Sequence, residues 1–467
     1  MSQVHLMLAI IGSLAVILSV RQVFCIVYNL FYHPLAFFPG PKTAAARDIK
    51  YIKPLHDQYG SVVRIAPNEL SLADPTAWKA ELVLKAPHLI LAPDEAHSRM
   101  RRKLAHAFSA AAVKEQEYLM RVHFDKMVDR IREQAWASRC GLVDMEKMYN
   151  CVAFDVIGDL AFGESFGALD AFEYHEYMNG VFMNLKVFSM FQRLSVYKWA
   201  LKAIGMLMSV VPAAVEGRRK HFAFAAERVK ARMSRETDRK DFLWYILKHN
   251  EKDGRGLSRE EIYSNSGLLI GAGSETTATT LTGATFYLLN NPKSMQRLCD
   301  EVRSAFGSTS EISIATASKL PYLVAIIEEA MRLYPPGPAA NVRVTNHAMD
   351  IDSRLVPRGT RVAVQQWTAH RSESNFHDAE RFLPERWLAN ADARFASDKR
   401  NAVNPFSFGP RNCLGKALAY AEMYSIMARV VYNFDMELDI RSSDWLNQRA
   451  FIFWEKGPLW VKITPRT

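Results

Sequence analysis

The chain has 467 residues, 49% hydrophobic and 23% charged, a balance that excludes a disordered or low-complexity protein, and no Gly/Ser linker or internal repeat divides it. Fifty-nine basic against 49 acidic residues give a formal charge of +10, but the lysines and arginines are spread along the chain, which argues against a nucleic-acid partner. The five cysteines, Cys25, Cys140, Cys151, Cys299 and Cys413, are scattered without a C-x-x-C pair, so neither a disulfide framework nor a zinc knuckle is expected and a reducing compartment is.

Residues 4–20 are apolar except for His5, Gly12, Ser13 and Ser19, and a second apolar stretch, 23–32, follows Arg21 and Gln22. Together they reach the length of a membrane-spanning helix. No charged leader or small-residue cleavage site marks the run as a removable signal. Arg21, Lys42, Arg47 and Lys50 all lie after its start and none precedes it, so the positive-inside rule puts the bulk of the protein in the cytosol. The expectation is a membrane anchor over residues 1–32, the alternative being a buried N-terminal helix. Pro34, Pro39 and Pro41 then form a hinge where no helix continues.

Further along, His97 and Arg101 stand at i and i+4, a basic pair on one helix face. Ser258 and Glu261 have capping-box spacing and open a helical pattern that runs to Leu289, before Asn291-Pro292. About thirty residues at ~1.5 Å each make a rod of roughly 45 Å. Its middle, Gly271-Ala272-Gly273-Ser274-Glu275-Thr276-Thr277, is poor helix-forming sequence, which points to chemistry at that place. Small residues let a ligand press against the backbone, and a threonine hydroxyl can bond the i−4 carbonyl. The alternative, packing contacts of a second membrane span, is opposed by Glu260, Glu261, Asn265 and Glu275. Nor is this a dinucleotide fingerprint, since no third glycine and no preceding strand are present.

Glu329 and Arg332 share a helix face that Pro335-Pro336 terminates, and Phe382-Leu383-Pro384-Glu385-Arg386-Trp387 follows. As a surface ion pair, Glu329 and Arg332 would contribute under about 1 kcal/mol. Arg343 precedes strand-like sequence, Thr360-Arg361-Val362-Ala363-Val364. Near the C-terminus stands Phe406-Ser407-Phe408-Gly409-Pro410-Arg411-Asn412-Cys413-Leu414-Gly415, and an apolar helical run follows. A thiol before a helix N-terminus is favoured as thiolate by unpaired N–H groups and the helix dipole, and Arg411 adds positive charge. Gly409 and Gly415 leave room for a flat group, and Phe406 offers an apolar lid beside the sulfur. Cys413 taken alone could instead be a buried structural cysteine.

The pattern F-x-x-G-x-R-x-C-x-G resembles the haem-thiolate signature of the cytochrome P450 family, and Ala272-Gly273-Ser274-Glu275-Thr276 resembles the oxygen-binding stretch of its central helix. The resemblance runs from His33 to the C-terminus, and phrases such as Phe154-Asp155-Val156-Ile157-Gly158 look like filamentous-fungal microsomal members of toxin-type secondary metabolism. It implies a mainly α fold with small β-sheets (α+β), residues 33–467 forming one catalytic domain, and haem (iron protoporphyrin IX) between the central helix and the cysteine-loop helix. By the same resemblance Cys413 is the axial iron ligand. Ala272 and Gly273 line the dioxygen groove, and Glu275 with Thr276 deliver the protons that O–O cleavage consumes. His97, Arg101, Arg343 and Arg411 hold the haem propionates, and Glu329, Arg332 and Arg386 form a buried structural network.

The implied activity is that of an endoplasmic-reticulum monooxygenase facing the cytosol. It hydroxylates or epoxidises an apolar small molecule with O2 and electrons that NADPH–cytochrome P450 reductase passes from NADPH. Segments 187–194 and 203–212 would cap the substrate site and touch the membrane, although Met and aromatic stripes are also ordinary core. The alternatives are an O2-independent haem-thiolate isomerase or dehydratase, which an intact Glu275-Thr276 pair argues against, and an inactive haem-binding paralogue. The last is raised by a departure from the family: only 18 residues separate Trp78 from His97, fewer than related sequences place there, and 42–50 is also abbreviated.

Overall fold

The capping box at Ser258 is formed as its spacing predicts. Ser258 Oγ accepts the Glu261 N–H at 3.1 Å, and Glu261 Oε2 accepts the Ser258 N–H at 2.9 Å. The computed structural model describes residues 49–66, 68–73, 89–90, 92–174, 212–250, 256–338 and 342–466, with 13, 20, 21, 24, 28, 32–35, 38, 177 and 180 besides. The segment 187–194, residues 203–211, most of the 78–97 stretch and, apart from isolated positions, the expected anchor over 1–32 lie outside them. Among the described residues no helix is long and apolar enough to cross a membrane.

Helices dominate the described residues. The longer ones are α1 (Ile49–Tyr59), α2 (Asp94–Leu104), α3 (Glu117–Ala137), α4 (Met145–Phe162), α5 (Pro212–Met233), α6 (Phe242–Asn250), α7 (Arg259–Leu289), α8 (Pro292–Ala305), α9 (Pro321–Leu333) and α10 (Lys416–Asn433). Small sheets accompany them. Strands β1 (Val62–Ala66), β2 (Glu69–Leu72), β7 (Arg361–Val364) and β4 (Arg343–Val344) lie side by side in that order, β2 and β7 parallel and the other pairs antiparallel. An antiparallel sheet orders β3 (Leu142–Asp144), β11 (Trp460–Pro465) and β8 (Phe434–Leu438). Two hairpins, β5 (Met349–Ile351) with β6 (Arg354–Val356) and β9 (Arg449–Ala450) with β10 (Trp454–Glu455), complete the set.

Helix α7 is 31 residues long and sits at the centre of the packing, with α4 as its largest neighbour. Neither helix has a single apolar stripe, and from Ala278 to Leu288 every residue of α7 is buried, as befits a helix enclosed on all sides. Two glycines allow α7's neighbours to come close. A Cβ on Gly273 would lie 2.8 Å from Ile157 Cδ1 on α4, and one on Gly283 would lie 2.5 Å from Tyr334 Cδ1. Tyr149 and Thr285 join the two helices through a 2.9 Å hydroxyl–hydroxyl bond.

The Glu329 carboxylate is where α9 is fastened to the chain that leads to Cys413. Glu329, Arg332 and Arg386 are each 0% exposed. Arg332 donates to both Glu329 oxygens at 2.7 and 2.8 Å, Arg386 Nε donates at 3.2 Å, and the Leu383 N–H and Trp387 Nε1 add bonds of 2.8 and 2.9 Å. The remaining Arg332 N–H groups go to the carbonyls of His370, Ala379 and Arg381, and Arg386 pairs with Asp398. Burial alone would raise the Glu329 pKa, but Arg332, Arg386 and the N–H donors together hold it below the ordinary value of 4.5. A carboxylate depressed in the folded state stabilises fully above pH 4.5 and loses its contribution only as pH falls through the lower, folded value. Glu329→Ala leaves two buried guanidiniums uncompensated, so a loss of about 3–5 kcal/mol is expected, read as a fall in denaturation midpoint or in folded yield.

Candidate active site

The segment between Phe406 and α10 forms a tight loop around Cys413. The Cys413 N–H returns to Phe406 O at 2.8 Å, the Asn412 N–H to Gly409 O at 3.0 Å, and the Ser407 N–H to Asn404 O at 2.8 Å. Gly409 has φ +80°, a conformation that a glycine adopts without steric penalty. Cys413 is exposed. Its pKa is raised by burial within the surrounding protein, against which the Gly415 N–H and the charges of Arg101 and Lys416 pull it down. The Gly415 N–H and the nearby cations favour the thiolate, as the sequence leads one to expect, against the desolvation of the thiol. The cation responsible is a different one. Arg411 turns to Asp94 Oδ1 at 2.6 Å and Ala92 O at 2.8 Å, at the start of α2.

Other basic residues named from the sequence gather round the same loop. Arg101 of α2 donates to the Asn412 carbonyl at 2.6 Å and to its side-chain oxygen. Arg343 of β4 donates to Phe408 O at 2.7 Å and Ser407 Oγ at 3.3 Å. Burial lowers the pKa of both guanidiniums. His97 is buried on α2, and burial first, then the charges of Arg411 and Arg101, lowers its pKa. Phe406 packs beside the loop with its ring centroid 5.0 Å from that of Tyr420.

On α7 the residues named from the sequence divide. Ala272 is exposed and Thr276 half-buried, one turn apart on a strip of an otherwise enclosed helix, and the Thr276 hydroxyl donates to Ala272 O at 2.7 Å. Gly273 abuts Ile157 of α4, so its missing Cβ is accounted for by helix packing. Glu275 does not pair with Thr276. Its carboxylate points into the interior, where Oε1 lies 2.9 Å from Lys456 Nζ and 3.3 Å from Thr279 Oγ1. Thr277 is bonded to Glu422 of α10, which links the Cys413 helix to α7 beside Thr276.

Comparison with known proteins settles the affiliation. A family profile described as Cytochrome P450 matches residues 56–460. The chain is 40% identical to the cytochrome P450 monooxygenase astJ of Aspergillus oryzae, covering 94% of each chain. It is 38% identical to the cytochrome P450 monooxygenase efuB of Hormonema carpetanum (95% and 94%) and 40% identical to the averantin hydroxylase of Dothistroma septosporum (94% and 88%). The chain belongs to the cytochrome P450 family. It is a monooxygenase, and the cofactor of this family is haem with a cysteine thiolate ligand. The astJ alignment spans 477 positions while taking in 94% of this 467-residue P450, so the relative carries internal residues that this chain lacks.

The residues present fit that cofactor. An accessible thiol has a loop N–H turned toward it, cationic groups suited to two carboxylates surround the same loop, and Ala272 is open in the wall of α7. Three further residues have no sequence signal: Glu146, Glu422 and Lys456 lie in unremarkable helix or strand-end sequence, and only packing joins them to α7. Glu422 is fully enclosed, its Oε2 has no hydrogen-bond partner, and burial lifts its pKa to about 8 despite the bond from Thr277. A raised acid holds a proton in the folded state that the unfolded state releases, so its effect on stability worsens as pH climbs from 4.5 to 8. Glu422→Gln is therefore expected to stabilise the protein by roughly 1–3 kcal/mol at pH 9 and by little at pH 5, read from unfolding at both values.

Proposed function

We propose that this P450 is a membrane-anchored haem-thiolate monooxygenase of fungal secondary metabolism, hydroxylating or epoxidising an apolar small molecule with O2 and NADPH-derived electrons. The observation that carries the reading is the Cys413 loop, an accessible sulfur with basic side chains around it. Residues 1–32 are the single-pass anchor in the endoplasmic reticulum and 33–467 the cytosolic catalytic domain. The apolar run at 4–20 and the basic residues after it support that arrangement. The partner is NADPH–cytochrome P450 reductase. The fungal relatives, one of them named a hydroxylase, support the reaction class.

In this reading Cys413 would ligate the iron of a haem held between α7 and α10, and the haem would supply dioxygen activation. His97, Arg101, Arg343 and Arg411 would hold the propionates as hydrogen-bond donors. Phe406 and the Gly409 turn shield the sulfur side. Ala272 would border the groove on the other side, with Gly273 beside it at the point where it also admits Ile157 of α4. Thr276 can release Ala272 O and turn its hydroxyl toward a bound ligand, passing on one proton, and Glu275, the adjacent buried acid in sequence, would recharge it.

The reduced, carbon-monoxide-bound spectrum of the expressed protein tests the ligand. A strongly red-shifted Soret band is expected, and Cys413→Ala should abolish it or the bound haem. Haem without that shift in the unaltered protein would remove Cys413 from the role. Thr276→Ala should keep haem but divert NADPH into peroxide, lowering product by roughly tenfold or more. Normal coupling in that variant would end the proton-relay assignment. NADPH dependence distinguishes the reaction from O2-independent isomerisation.

A further inference from the structure

Behind Glu275, on the flank of α7 next to the Ala272–Thr276 strip, lies a buried cluster that family motifs do not include. Lys456 follows β10, and its side chain is 3% exposed. Its ammonium stands 2.9 Å from Glu275 Oε1, 2.8 Å from Thr279 Oγ1 and 3.5 Å from Glu146 Oε1 at the start of α4. Glu146 accepts Asn150 Nδ2 at 2.7 Å on the same oxygen and the Tyr174 hydroxyl on the other. Tyr174 is half-buried, the member of the cluster nearest to water. Glu275, Glu146 and Lys456 thus come from three elements far apart in sequence and meet in one enclosed place.

Charge counting shows what such a cluster does. Two carboxylates and one ammonium carry a net charge of −1 when all are ionised, and an uncompensated charge inside a protein costs several kcal/mol. Taking up one proton removes it. We propose that Glu275, Lys456 and Glu146 form an acid–base unit with one exchangeable proton, that Lys456 is the positioning residue for Glu275, and that Tyr174 connects the unit to solvent. Once Glu275 has given up the shared proton, Nζ passes one to Glu275, and Glu146 takes a proton from the Tyr174 hydroxyl and hands it to Nζ, ending as the carboxylate it began as. Tyr174 is reprotonated from solvent. One proton moves inward and no electron moves.

The groups facing the unit agree with this. Burial raises Glu275, and Lys456 only partly offsets it. Asp144, the N-cap of α4, is raised to about 6 by burial and then by the Glu146 charge. Tyr174 and Tyr334 are raised by burial and by the nearby carboxylates, and Cys151 is pushed to about 12, so these three stay neutral. The proposal rests on the monooxygenase reading, because only there does Glu275 have a use for a proton.

Infrared spectra of the full-length holoprotein, in H2O and D2O at neutral pH, test it through the C=O band of protonated carboxyls. One band should vanish in Glu275→Gln and equally in Glu146→Gln, since removing either carboxylate restores neutrality and releases the shared proton. Lys456→Met should gain a second band and release more peroxide per NADPH, and Lys456→Arg should restore both readings in part. A band unmoved in Glu146→Gln, or no gain in Lys456→Met, overturns the proposal. Glu146→Gln keeps the shape of the site and is decisive by itself if Lys456→Met does not fold. A normal carbon-monoxide spectrum with unmoved bands sinks this inference alone, whereas a missing red-shifted band in the unaltered protein sinks the monooxygenase reading first.

Discussion

The Glu329 carboxylate is the point on which the rest of the structure hangs. Five donors from Arg332, Arg386, Leu383 and Trp387 converge on its two oxygens with no access to water. Arg332 and Arg386 also take up the carbonyls of His370, Ala379, Arg381 and His377, which ties the largely irregular chain between them to the same cluster. Lys399 then returns to Asn375, and the Cys413 loop begins a few residues later. A loop that must hold a sulfur in one orientation is thereby supported by a charge cluster that has only one satisfied arrangement.

Helix α7 is the second constraint, and it separates two kinds of electrostatics. One strip, with Ala272 and Thr276, is accessible and has only a hydroxyl bonded to its own backbone. The adjoining flank is closed over Glu275, Lys456 and Glu146. The poor helix formers at 271–277 serve both sides. Gly273 admits Ile157 of α4, and the Ser274 and Thr276 hydroxyls bond carbonyls one turn back, so polar side chains are accommodated within the helix. Around Cys413 the balance is different again. Desolvation raises the pKa of the thiol while the Gly415 N–H, Arg101 and Lys416 lower it, and a metal with its own positive charge would add to the side of the thiolate.

Much of this was legible beforehand because it is local. The capping box at Ser258, the stop of α9 before Pro335, the strand at Arg361 and the turn at Gly409 depend on residues within a few positions of one another. The Glu329 and Arg332 pair could be placed on one face by spacing alone, yet nothing in E-x-x-R distinguishes a surface pair from a fully buried one. That distinction comes from Arg386 and Trp387, more than fifty residues away. Arg411 shows the same limit: adjacency to Cys413 predicted a cation beside the sulfur, but the side chain is long enough to reach Asp94, and Arg101 from α2 takes the place.

By itself the sequence determined the family, the helix-rich class, the identity of the loop cysteine and the weakened centre of α7, since motif chemistry and helix signals are written in short spans. Only the tertiary structure decided that Glu275 turns from Thr276 toward Lys456, that Gly273 is a packing glycine, and that Glu422 is an enclosed acid above Thr277. These outcomes depend on which distant side chains meet and how much water they exclude. Desolvation and charge pairing are properties of a packed volume, and a linear spacing does not encode them.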